Sequence, residues 1–191
     1  MLDESSVFDA VRRGYTDLQD ASPQEICDYF SSVDPVEFSG HVNNIKGIVF
    51  EQEVVGALND NGINAMMFSE TNHPDTDIFI LEDSESIAEF QLKATDSVQY
   101  ISSTIEDCPD VPIIATSEVA SSFDPDNVLD SGLSNEHLTD FVTDVLSTGA
   151  ADSASDYVSD TVSDGLVEAV ADVSLWGGAR NPDLVTRERR L

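Results

Sequence analysis

Lysine is almost missing from this 191-residue chain, which has only Lys46 and Lys93. Cysteine is equally scarce. Cys27 and Cys108 are too few for a disulfide framework or a Cys-based zinc site, so two reduced thiols are expected. No run of about 18 apolar residues occurs, which argues against a membrane-spanning helix. The segment Met1-Leu2-Asp3-Glu4-Ser5-Ser6 is acidic and has no apolar stretch, unlike a Sec signal peptide, and a cytoplasmic protein is the expectation. Bases of any kind are few: eight against 38 acids, a formal net charge of −30. Such a surface repels itself and repels phosphate backbones at low salt, which argues against a broad electrostatic footprint on nucleic acid.

Three explanations of the charge compete: adaptation to a high-salt (halophilic) interior, mimicry of a polyanion, and acidic disordered segments. At 1 M salt a Debye length of about 3 Å screens the repulsion. The first is favoured, because the Asp excess and the Lys depletion run through the ordered-looking regions too.

What is present is enough apolar material for a core, 40% of residues. The length suits one medium domain with an appendage, or two small ones. Residues 1–40 read as an N-terminal helical segment. Val7, Phe8, Val11, Tyr15 and Leu18 recur at helical spacing, and Ser22-Pro23-Gln24-Glu25 forms a capping box. A further turn or short helix is expected at Pro35–Phe38 and a stronger amphipathic helix from Asn44 to Asn59, ended by Asn61-Gly62. Strands are expected at Ala65–Phe68, Ile78–Leu81 and Ile87–Lys93, a helix at Ser97–Glu106, and a last strand at Val111–Ala115. This order makes residues 41–120 a mixed α/β core. Residues 121–134 read as a polar linker and 135–176 as an acidic helical region. Within it, Asp152, Asp156, Asp160 and Asp164 stand four apart and Val158, Val162, Leu166 and Val170 form the packing face. A membrane-associating role for that region is disfavoured by its aspartates, and a homo-oligomer through the C-terminal helices is the partner it suggests. Residues 177–191, with Arg180, Arg187, Arg189 and Arg190, read as a basic flexible tail.

Four residues carry a chemical pattern. Side chains alternate along a strand, so Gln91 and Lys93 share the face of Ile87–Lys93 opposite the apolar Ala88, Phe90 and Leu92. Asp77 stands immediately before Ile78-Phe79-Ile80-Leu81, with Asp75 as its rival. Glu51 falls in the middle of its helix's apolar face, within about 60° of Ile48, Val55 and Leu58, where an unpartnered carboxylate is costly. A cation or a lysine would supply the partner.

Glu51, then Asp77, then Gln91-x-Lys93, on a helix and two successive strands, resembles the PD-(D/E)XK nuclease superfamily. His73-Pro74-Asp75-Thr76-Asp77-Ile78 resembles its first acidic motif and Glu89-Phe90-Gln91-Leu92-Lys93 its second. Asn44-Ile45-Lys46-Gly47-Ile48-Val49-Phe50-Glu51 resembles the helix that donates an accessory acid. The resemblance covers residues 41–119. It implies a restriction-endonuclease-like mixed sheet flanked by helices, here with a helical C-terminal extension. It also implies metal-dependent phosphodiester hydrolysis of nucleic acid, DNA foremost, in a defence, mobile-element or toxin context. Asp77, Gln91 and Glu51 would then hold Mg²⁺ or Mn²⁺ and Lys93 would orient or deprotonate water. Where the family usually has Asp or Glu, this chain has Gln91, resembling the branch typified by methylation-dependent restriction enzymes. An amide oxygen can ligate a hard cation but brings no charge, so affinity would lean on Asp77 and Glu51.

His41 and His73 are more easily read as structural than catalytic, and Thr95, Ser97 and Gln99 are weaker candidates for phosphate contact. The alternatives are a catalytically inactive interaction module of the same fold, and an effector with a membrane-associating C-terminal region.

Overall fold

Capping chemistry sets the start of the helices. Asp3 caps α1 (Glu4–Gly14), and the Ser22–Glu25 capping box with Pro23 opens α2 (Pro23–Ser31). Asp34, followed by Pro35, opens α3 (Pro35–Asp60). The computed structural model describes residues 2–68, 75–150 and 161–180, with side chains described up to residue 172.

The turn or short helix expected at Pro35–Phe38 and the helix expected at Asn44–Asn59 are one helix. α3 runs for 26 residues, about 39 Å, straight through the expected boundary at residue 40. Nothing between Ser39 and Asn43 breaks the ladder, since Gly40 in a helix interior costs only about 1 kcal/mol relative to alanine. Its buried residues include Val42, Ile45, Ile48, Val49, Phe50, Val54 and Leu58, so it is covered on more than one side.

After α3 come β1 (Ala65–Met67), β2 (Ile78–Glu82) and β3 (Glu85–Lys93), an antiparallel meander. Asp83 and Ser84 both take left-handed backbone conformations, φ 51° and 73°, which is the two-residue turn a twisted hairpin needs. Then α4 (Val98–Asp107) carries the chain across to β4 (Ile113–Ala115), parallel to β3. The short α5 (Ser117–Ala120) leads to β5 (Val128–Asp130), parallel to β4. The sheet order is β1-β2-β3-β4-β5. β4 is therefore not the last strand, and the expected linker at 121–134 contains a sheet strand. Its three residues, Val128-Leu129-Asp130, are too short to show a period among polar neighbours.

The sheet has two covered faces. Ala88, Phe90, Leu92 and Ile114 join α1, α2, α3 and the helix α6 (Asn135–Thr148) in the main core. Ile113, Ala115 and Val128 pack instead with Ile101 of α4 and Val119 and Ala120 of α5. The alternation along β4 is the strand period made visible.

The acidic C-terminal helices are not an appendage. Leu138, Phe141, Val142, Val145 and Leu146 of α6, with Leu166 and Val170 of α7 (Asp164–Arg180), belong to the same main core as Phe50 and Phe90. Their apolar faces are thus used within the chain. Asp152, Asp156, Asp160 and Val158, and Arg187, Arg189 and Arg190, lie outside the described residues. Residues 177–180, expected in a flexible tail, continue α7.

Candidate active site

The end of β3 and the start of β2 build the site. Ile78 pairs with Phe90, and the residue before it, Asp77, donates its amide to the Phe90 carbonyl at 2.9 Å. Its carboxylate Oδ2 accepts the Leu92 amide at 2.7 Å and the Lys93 ammonium at 3.4 Å. Asp77 is thereby clamped across Gln91. The Lys93 and Asp77 side chains are 16% and 21% exposed, sheltered enough for the pair to hold its geometry.

Asp75, the rival acid, faces elsewhere and accepts a hydrogen bond from Cys108 Sγ at 3.4 Å. Both cysteines are free.

Glu51 reaches the same place from α3. With Asp77 and Lys93 it lines a cleft of about 890 Å³, whose walls also include Asn43, Lys46, Thr95 and Tyr100. Burial, then the Asp77 carboxylate, pushes Glu51 up to about 7, against the opposing pull of Arg13 and Lys93. Arg13, at the end of α1, donates to the Phe68 carbonyl.

Gln91 lies on the same face of β3 as Lys93 but outside the lining of the cleft. Its Oε1 is buried and has no hydrogen-bond partner among the described residues. A buried, unpaired amide oxygen costs on the order of 1–3 kcal/mol. Among the described residues there is no group of three or more His, Cys, Asp and Glu side chains arranged to hold a metal ion. The cleft itself offers two carboxylates, Glu51 and Asp77.

Comparison with family models, curated proteins and solved structures finds no match to this chain. The site therefore stands on its geometry.

The other sequence candidates separate. His41 accepts or donates a 2.7 Å hydrogen bond with the Tyr15 hydroxyl and packs against Phe30, a structural role away from the cleft. His73 lies outside the described residues. Thr95 lines the cleft, and its Oγ1 accepts the Ser97 amide. Ser97 caps α4 by accepting the Tyr100 amide, and Gln99 lies outside the lining.

Lys46 belongs to the cleft although the sequence pattern gives it no role. It is 5% exposed, lines the cleft, and donates to Asn135 Oδ1 at 2.6 Å and Thr139 Oγ1 at 3.2 Å. Burial lowers its pKa, while Asp96 and Glu118 pull it upward. Its signal was available: it is one of only two lysines in the chain.

Proposed function

We propose that this chain hydrolyses phosphodiester bonds of nucleic acid, DNA foremost, with a divalent cation at a PD-(D/E)XK-like site of the Gln-x-Lys variant. The observation that carries this reading is the convergence of Glu51, Asp77 and Lys93 on one cleft. They arrive from a helix and two successive strands of a sheet in which an antiparallel meander is followed, after a helix, by a parallel strand. Tyr100, about half exposed at the cleft, offers a ring on which a base can stack.

The residues fit a hard cation. Asp77 and Glu51 would hold Mg²⁺ or Mn²⁺, with the Gln91 amide oxygen as the uncharged ligand. The Asp77 carboxylate raises the proton affinity of Glu51, and the Gln91 oxygen is buried with no hydrogen-bond partner among the described residues, a set that a cation would relieve. When bound, the cation supplies Lewis acidity at the phosphate and lowers the pKa of water.

The protein's own groups do the rest. Lys93, held by Asp77, presents its ammonium to charge building on the phosphate oxygens. Glu51, near 7 in the cation-free cleft, would give up its proton on taking the cation, so binding should tighten as pH rises toward 7. Hydrolysis makes one P–O bond to the water oxygen, breaks one to the departing sugar oxygen, and delivers a proton to that oxygen.

A second reading, a non-catalytic interaction module, is favoured by one feature: only two of the three metal-facing positions carry charge. Mn²⁺ titration and plasmid nicking by the same preparation, from low to multimolar KCl, separate the two. Metal binding with nicking supports the enzyme. Neither, at any salt, supports the module.

A further inference from the structure

Both lysines of a chain with 38 acids line the same cleft, and they are held differently. Lys93 has a carboxylate partner, Asp77. Lys46 does not: among the described residues its hydrogen-bond partners are the neutral oxygens of Asn135 and Thr139, and no carboxylate lies within 4.0 Å of its ammonium. A buried cation with no carboxylate in direct contact is costly, and Asp96 and Glu118 act on it only from a distance. Acids abound here, so an available partner would be simple to place.

The nearest candidates are otherwise disposed. Glu118 is taken up by the start of α6, accepting from Ser134 Oγ, the Asn135 amide and the Glu136 amide. Asp96 is exposed on the cleft wall. Beside Lys46, Gly47 also lines the cleft, and a Cβ there would meet nothing within 4 Å, so the wall is open at that point. Asn43, exposed on the same wall, adds an amide donor.

We propose that Lys46, with Asn43, forms a second phosphate-binding subsite, which grips a phosphate of the nucleic-acid strand neighbouring the one at Lys93. This rests on the nuclease reading of the cleft. Two cations fixed in one cleft give a local grip on a strand that the −30 surface otherwise repels. Asn135 and Thr139 hold the ammonium in place without neutralising it.

The test is fluorescence anisotropy of a labelled single-stranded 12-mer with the full chain in EDTA, over a KCl series, for wild type, Lys46→Gln, Lys46→Arg and Asn43→Asp. Lys46→Gln is expected to weaken binding about tenfold and to reduce the slope of log affinity against log salt by about 0.7, one phosphate contact on a single strand. Lys46→Arg should keep the slope. Asn43→Asp is a surface change that leaves the fold intact and sets a carboxylate at the subsite. It should weaken binding even if Lys46→Gln fails to fold.

DNA binding with an unchanged slope in Lys46→Gln and unchanged affinity in Asn43→Asp would overturn the subsite and leave the nuclease reading standing. If wild type binds no DNA, calorimetric titration with inorganic pyrophosphate decides. Binding lost in Lys46→Gln keeps the anion site while the nuclease reading falls, and no binding removes both.

Discussion

At the scale of residues, the cleft sets a carboxylate where it is costly to ionise. Glu51 is held up to about 7 by burial and by Asp77. An acid whose folded pKa is raised binds its proton more tightly in the native state. Its contribution to stability is therefore present at low pH and is lost as pH rises from about 4.5 to about 7. In EDTA, wild type should lose at most about 3 kcal/mol across that window from this group. Glu51→Gln removes the titration, so urea melts at pH 5 and pH 7.5 should show the variant gaining on wild type at the higher pH. A constant difference between the two proteins would contradict the placement of Glu51. The helical angle that set Glu51 among Ile48, Val55 and Leu58 anticipated this conflict, because a period is a local property. The choice between Asp75 and Asp77 was not local. It depends on the register that puts Asp77 against Leu92 and Asp75 against Cys108. Lys46 escaped notice because its neighbours Asn135 and Thr139 come from α6, some 90 residues later.

At the scale of elements, the longest helix carries its own weakness. α3 includes Gly40, Gly47 and Gly56, and at none of them would a Cβ meet an atom within 4 Å. Gly56, exposed and outside the cleft lining, is the clean test. Gly56→Ala should stabilise the fold by about 1 kcal/mol and raise Tm by roughly 2–4 °C in a thermal melt. A fall in Tm would mean that the helix is not continuous there. The sequence split α3 in two because the glycines and the polar Ser39–Asn43 stretch mask the periodicity, whereas the packing of Val42 and Ile45 does not respect that break. Strands of the meander were legible from alternation and from Asp83-Ser84. β5 was hidden because its partner Ile113–Ala115, not its own composition, makes it a strand.

At the scale of the molecule, a net charge of −30 and a nucleic-acid substrate oppose each other unless salt intervenes. Screening shrinks from a Debye length of about 10 Å at 0.1 M to about 3 Å at 1 M, so self-repulsion fades as KCl rises. Tm should climb steadily between these concentrations, and a flat or falling curve would remove the high-salt explanation of the acidity. The proposed enzyme should share that dependence, since among the described residues the cleft holds only two cations, Lys46 and Lys93, against the charge of the whole surface. Glu51, Asp77 and Lys93 are expected to act as one site. The most direct measurement is the rate of plasmid cleavage in Mg²⁺ or Mn²⁺ at multimolar KCl for wild type, Asp77→Ala and Lys93→Ala. Cleavage by wild type, with each variant slower by about 100-fold or more, is the expected result. Equal cleavage by all three proteins, or none by wild type with either metal, would contradict it.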